Sequence, residues 1–170
     1  IRAHVISAKS RDAESPRLFD LHKNLGNVFT RLGDYESAEE NYHKALTLRP
    51  QSDVLQVNLG SLHFQRQDFK LAMEFFKKAI EFNPYNDRAW CGVALIAREM
   101  KDEEWARSLI LKSLDLNNHN LTALQVLINW AQTDCRWDEA IERSQIYLNH
   151  DQNNGDIIYS LAGLYFQKGF

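Results

Sequence analysis

The tripeptide Asn24-Leu25-Gly26 returns as Asn58-Leu59-Gly60, 34 residues further on. The same step carries Ala38 to Ala72, Ala106 and Ala140, and Leu25 to Leu59, Val93, Leu127 and Leu161. Leu46, Ile80, Leu114 and Leu148 make a third series, and Asp34, Asp68 and Asp102 a fourth. Pro16, Pro50 and Pro84 make a fifth, and no gap is needed from Pro16 onward. Chance similarity drifts out of phase, so one phase held at this many positions is the signature of stacked repeats. The units run 19–52, 53–86, 87–120 and 121–154, with a truncated half unit at 155–170. By the phase of Pro16, residues 1–18 read as the second half of a truncated unit.

Inside a unit the apolar residues recur at gaps of three and four. Leu21, Leu25, Val28, Phe29 and Leu32 mark one amphipathic helix; Tyr35, Ala38, Tyr42, Ala45 and Leu46 mark a second. Gly33-Asp34 separates them, with Asp34 placed to cap the second helix. Pro50 ends that helix and Ser52-Asp53 opens the next. The spacing therefore predicts helices near 19–32 and 35–48, with equivalents in every unit. Gly26, Ala38 and Ala45 are small enough for the two helices to approach closely while Phe29 and Tyr42 fill the space around them. One hairpin cannot bury both its faces, so neighbours must stack. The fourth unit departs from the pattern. Ile128 stands where Gly26 stands and Ser144 where Tyr42 stands, a volume exchange across the pair. Tyr147, at the phase of Ala45, has no such compensation.

The 170 residues are 44% hydrophobic and 25% charged, ordinary for a globular chain with a buried core. Seven Gly and three Pro are few for a loop-rich all-β fold. A net charge of -3 supplies no positive field for nucleic acid or anionic lipid. No apolar run approaches the roughly 18 residues that span a bilayer. Cys91 and Cys135 are too few for a disulfide scaffold and point to a reducing compartment, so a cytoplasmic setting is expected. The first residue is Ile1, and the reading expects a fragment of a longer polypeptide.

The 34-residue step together with Leu25-Gly26, Phe29, Ala38, Tyr42, Ala45 and Pro50 resembles the tetratricopeptide repeat (TPR) pattern. Unit two repeats it with Leu59-Gly60, Ala72, Phe76, Ala79 and Pro84, and unit three adds Trp90 and Ala106. The resemblance implies an all-α, right-handed superhelix (an α-solenoid) of antiparallel helix pairs, with the first helix of each pair lining a concave groove.

A search for chemistry finds no glycine-rich phosphate loop, no GxSxG elbow and no HExxH. The six histidines (4, 22, 43, 63, 119 and 150) share no helix at metal-ligand spacing. His22 and His63 fall at packing phases and read as interface side chains, and Cys91 and Cys135 fall apart in phase. Glu39-Glu40 and Glu103-Glu104 diverge around their helices and read as solvated faces. The chain is thus expected to be no enzyme, with no catalytic residue, metal or cofactor.

The expected function is a surface. The family pattern puts unit positions 2, 5, 6, 9, 12 and 13 on the groove. The peptide-binding candidates are Lys23, Asn24, Asn27 and Arg31 in unit one, and Asn58 and Phe64 in unit two. Arg88 and Arg98 in unit three and Gln125 and Asn129 in unit four complete them. Amides can both donate to and accept from an extended peptide's main chain, Phe64 adds an apolar anchor, and the cations favour an acidic segment. Lys23, Asn27, Asn58 and Arg88 match four of the five positions of the carboxylate clamp of chaperone-binding members; Gly92 stands at the fifth, which should be basic. Asn24, Asn58 and Asn129 resemble, in broken form, the asparagine ladder of TPR arms on O-linked N-acetylglucosamine-type transferases, so a substrate-recruiting arm of an enzyme is the alternative. The expected partner is a protein or peptide rather than nucleic acid or membrane, with self-association through uncapped ends of the stack as a further expectation.

Overall fold

The computed structural model describes the backbone of residues 2–169 and the side chains of residues 15–169. Among them there are nine α-helices and no strands. The chain forms two compact units, residues 1–84 and 85–170.

The first unit holds α1 (Arg2–Leu32), α2 (Tyr35–Leu48), α3 (Asp53–Gln65) and α4 (Phe69–Phe82). Helix α1 pairs with α2 and α3 with α4, and α2 lies against α3. Glycine makes the pairs possible. A Cβ on Gly26 would stand 2.4 Å from Cε1 of Tyr42, and one on Gly60 would stand 2.8 Å from the Phe76 ring. Aromatic rings fill the space a Cβ would take at both places, and Ala38, Ala45, Ala72 and Ala79 are fully buried. Phe19, Tyr42, Leu55, Leu59 and Leu62 form one continuous core. Each such side chain contributes about 1.5–3 kcal/mol on leaving water.

The second unit holds α5 (Asp87–Glu99), α6 (Glu103–Leu116), α7 (Leu121–Asp134), α8 (Asp138–His150) and α9 (Gly155–Lys168). Helix α5 pairs with α6, α7 with α8, and α9 packs on α8 and α7. Ile128 and Ser144 are both buried, so bulk and smallness have changed sides of the α7–α8 pair as the sequence predicts. Ser144 Oγ turns back to Ala140 O at 2.7 Å, and Tyr147 is nearly buried with its hydroxyl accepting from Asn154 Nδ2 at 3.4 Å. The two helices are held further apart than those of the other pairs.

Two periodic devices fix the boundaries. The positive-φ residues among those described are Gly33, Gln67, Lys101, Cys135 and Gly169, each 34 after the last. Every first helix therefore stops on a left-handed residue that reverses the chain. Beyond it Asp34, Asp68 and Asp102 accept from Ser37 N, Leu71 N and Trp105 N at 3.1–3.2 Å, starting each second helix. Ser52, Asn86, Asn120 and Asn154 do the same for α3, α5, α7 and α9. Helix α8 begins at Trp137 without a side-chain cap.

Helix α1 departs from expectation. The break that the phase of Pro16 places before residue 19 is absent, and Pro16 lies inside one 31-residue helix. Proline alone removes one hydrogen bond. At Pro50 and Pro84 the chain breaks because Ser52 and Asn86 follow to cap a new helix; Leu18, at their phase, has no capping oxygen. The half-unit reading of residues 1–14 concerns side chains that lie outside those described.

Candidate functional site

The candidate side chains are distributed over first helices, so each unit has its own face. In the first unit, Asn27 on α1 and Asn58 on α3 meet: Asn58 Nδ2 donates to Asn27 Oδ1 at 3.0 Å. The Tyr42 hydroxyl reaches the same Oδ1 at 2.9 Å, so the ring that packs on Gly26 also orients the amide. Thr30 Oγ1, 3.2 Å from Tyr42 Oη, donates to Gly26 O and closes the network. These bonds consume Asn27 Oδ1; Asn27 is half-buried, and Asn58, expected on the groove, is buried at 7% exposure.

Beside this pair is an open cleft of ≈ 730 Å³ whose floor is Phe19 and whose sides include Asp20, Lys23, Arg49 and Asp53. The Arg49 guanidinium lies 4.1 Å from the Phe19 ring centroid and Lys23 Nζ 5.5 Å from it. Lys23 also bonds Asp20 at 2.7 Å, and this bond above all holds the Asp20 carboxyl below its ordinary pKa. Asn24 and Arg31 are exposed on α1 and do not join the Asn27–Asn58 pair. Phe64 is half-buried and tilts against Phe69, 5.4 Å between centroids.

In the second unit Arg88, Gln125 and Asn129 are exposed, whereas Arg98 is held internally. Its guanidinium bonds both oxygens of Asp134 at 2.7 and 2.5 Å and Thr133 Oγ1 at 3.2 Å, and lies 5.3 Å from the Trp130 ring. The Asp134 bond raises the Arg98 pKa and lowers that of Asp134. Cys91, at a groove phase, is buried; burial foremost, then Asp87, pushes its thiol up to about 12, far from nucleophilic. Cys91 and Cys135 are both free.

Histidine 63 is 3% exposed, stacked 5.2 Å from Phe75, with neither ring nitrogen hydrogen-bonded and Glu39 Oε1 3.6 Å away. Burial lowers its pKa against the pull of Glu39. His22 is half-buried and bonds Asn41 Oδ1 at 3.0 Å. The chain also brings His119 and His150 together at 3.9 Å between centroids, a meeting across elements with no trace in linear spacing. No group of three or more His, Cys, Asp or Glu among the described residues is arranged to hold a metal. None of the described helices is long and apolar enough to cross a membrane.

Paired helices repeating every 34 residues, with polar first-helix faces, define an all-α helical-repeat protein. The family comparison then names the repeats of the first unit: the tetratricopeptide repeat matches residues 19–52 and 55–86, so this unit carries two of them. Among solved structures, PilF of Pseudomonas aeruginosa aligns with a TM-score of 0.74 at 21% identity, over 91% of this chain and 71% of that one. The first TPR of Spaghetti (RPAP3), solved with the HSP90 peptide SRMEEVD, gives 0.60 at 23% identity over 70% and 94%. YrrB, a TPR protein with an unusual peptide-binding site, gives 0.57 at 19% identity over 86% and 76%. These likenesses concern the fold. No curated protein matches the sequence.

Proposed function

We propose that this chain is a non-catalytic interaction scaffold that holds a peptide or protein segment against its first-helix faces. The Asn27–Asn58 amide pair carries the reading. Asn27, its oxygen held by Tyr42 and by the buried Asn58, keeps its amide N–H groups in a fixed orientation, which suits a carbonyl of an extended main chain. Lys23 and Arg49 over Phe19 favour an acidic side chain beside that main chain. The exposed Arg88, Gln125 and Asn129 are proposed as the second unit's contribution. Arg98 is proposed to act there through Trp130 and Asp134, whose positions it fixes, rather than as a free cation. That two structurally similar proteins are described with peptides supports the same class of ligand, acidic in one of them. Two unpaired cysteines support a reducing, cytoplasmic setting.

The test is fluorescence anisotropy with labelled SRMEEVD as an acidic probe. K23A/R49A and, separately, N27A/N58A are each expected to weaken binding about tenfold, equivalent to about 1.4 kcal/mol, with the helical signal intact. Unchanged affinity in N27A/N58A would remove the amide pair from the site, and unchanged affinity in K23A/R49A would remove its basic end.

A further inference from the structure

His119 lies in the turn between α6 and α7, and His150 is the last residue of α8. Their rings stand 3.9 Å apart between centroids, tilted by 37°, and both residues are exposed. The backbone beneath each ring is pinned. The His119 N–H donates to Asn117 Oδ1 at 3.1 Å. Asn117 and Asn120, which bracket His119, both donate through Nδ2 to Asp87 Oδ2, at 3.0 and 2.6 Å. Asn120 Oδ1 also accepts from Ala123 N and so opens α7. Just past His150, the Asp151 N–H closes the last turn of α8 on Tyr147 O at 3.1 Å. Asp151 Oδ2 accepts from Asn154 Nδ2 at 3.0 Å, and Asn154 caps α9 through Ile157 N. Two imidazoles are thus held together at the backbone and open to solvent at the ring.

Imidazole nitrogens suit Zn²⁺, Ni²⁺ and Cu²⁺, whereas Mg²⁺ and Ca²⁺ take oxygen ligands. With Zn–N near 2 Å, two imidazoles on one tetrahedral ion stand about 5 Å apart between centroids. The rings therefore have to open by about 1 Å, a change of side-chain torsion that exposed rings make while the backbone stays in place. Once one imidazole holds the ion, the other is already within reach, so the pair binds more tightly than a single surface histidine. We propose that His119 and His150 form a two-imidazole site for a divalent transition cation of the Zn²⁺, Ni²⁺ or Cu²⁺ class, with water completing the coordination. No third His, Cys, Asp or Glu among the described residues joins them. Both ligands belong to the second unit, so the site does not draw on the amide pair of the first. A reading that seeks two histidines on one helix passes it by, because its ligands come from different elements.

Calorimetric titration of the 170-residue chain with NiCl₂ and, separately, with ZnCl₂ tests the site. Each is expected to saturate at one ion per chain below about 1 mM, whereas MgCl₂ gives no binding heat. H119A and H150A should each weaken the ion at least about tenfold, and the exposure of both positions leaves the helical signal unchanged. H43A removes another exposed histidine and should leave the affinity as it was. Proton NMR makes the assignment: Zn²⁺ should shift the ring C–H signals of two histidines, the ones that vanish in H119A and in H150A. No saturation at about millimolar ion overturns the proposal. So does parental affinity in either H119A or H150A, or a loss in H43A as large as theirs.

Discussion

The helix pair α1–α2 and the helix pair α7–α8 solve one packing problem with opposite allocations of volume. In the first, the backbone of Gly26 is pressed by the Tyr42 ring, and no side-chain atom could be added without collision. In the second, Ile128 fills the space from the other helix while Ser144, fully buried, satisfies its hydroxyl on Ala140 O. Pairing survives in both, but α7 and α8 stand further apart, and α8 starts without a cap. The total volume at the crossing decides whether two helices pair. How it is divided between them decides how closely they sit.

The comparison can be broken most severely by G26I. The added side chain has to displace Tyr42, at a cost of about 3 kcal/mol in urea unfolding. G26I/Y42S then copies the α7–α8 arrangement into α1–α2, and the second substitution should recover part of the loss, a coupling above about 1 kcal/mol. If the double variant is merely the sum of the two singles, the exchange of volume is not what holds α7 and α8 together.

A smaller effect sharpens the capping contrast. D102A removes the oxygen that accepts from Trp105 N and should cost about 1 kcal/mol, read from the same unfolding curves. The equivalent substitution R136A at the uncapped α8 removes no cap; its ion pair with Glu104 is exposed, and the loss should stay below that of D102A.

The smallest effect is a pH dependence of the first unit. His63 is kept neutral by burial, and its surroundings include Glu39, Arg66, Asp68 and His43. Above pH 6.5 the ring is uncharged whether folded or unfolded. As pH falls below 6.5 the unfolded chain takes up a proton that the folded chain resists, so stability drops. The carboxyls with lowered pKa values (Asp20, Asp34, Glu40 and Asp134) lose their contribution only at more acidic pH. A fall in the urea midpoint between pH 7.5 and 5.5 that H63F abolishes is the expected result, and an unchanged slope in H63F would assign the dependence elsewhere.

Helix positions were legible in the sequence to within a residue or so from α2 onward, because periodicity and capping residues agree there. At α1 they conflict. Pro16 has the phase of a stop, but Leu18 lacks the capping oxygen that makes a stop work. Among the site residues, Asn27 and Asn58 come together because their phases project from neighbouring first helices. The capture of Arg98 by Asp134 was not legible: it joins residues 36 apart, and the other units have no pair at these phases. Nor was the burial of Cys91. Its phase also holds the half-buried Lys23, the buried Val57 and the exposed Gln125, so phase alone does not set exposure.

The left-handed residue that ends each first helix has a practical consequence. Glycine occupies it at Gly33 and Gly169, whereas Gln67, Lys101 and Cys135 hold the same φ with a side chain attached. An L-residue there bears roughly 1–2 kcal/mol of steric opposition that glycine escapes. The molecule thus keeps three separate positions at which a protein engineer could raise its melting temperature without touching either the core or the faces proposed to bind a peptide.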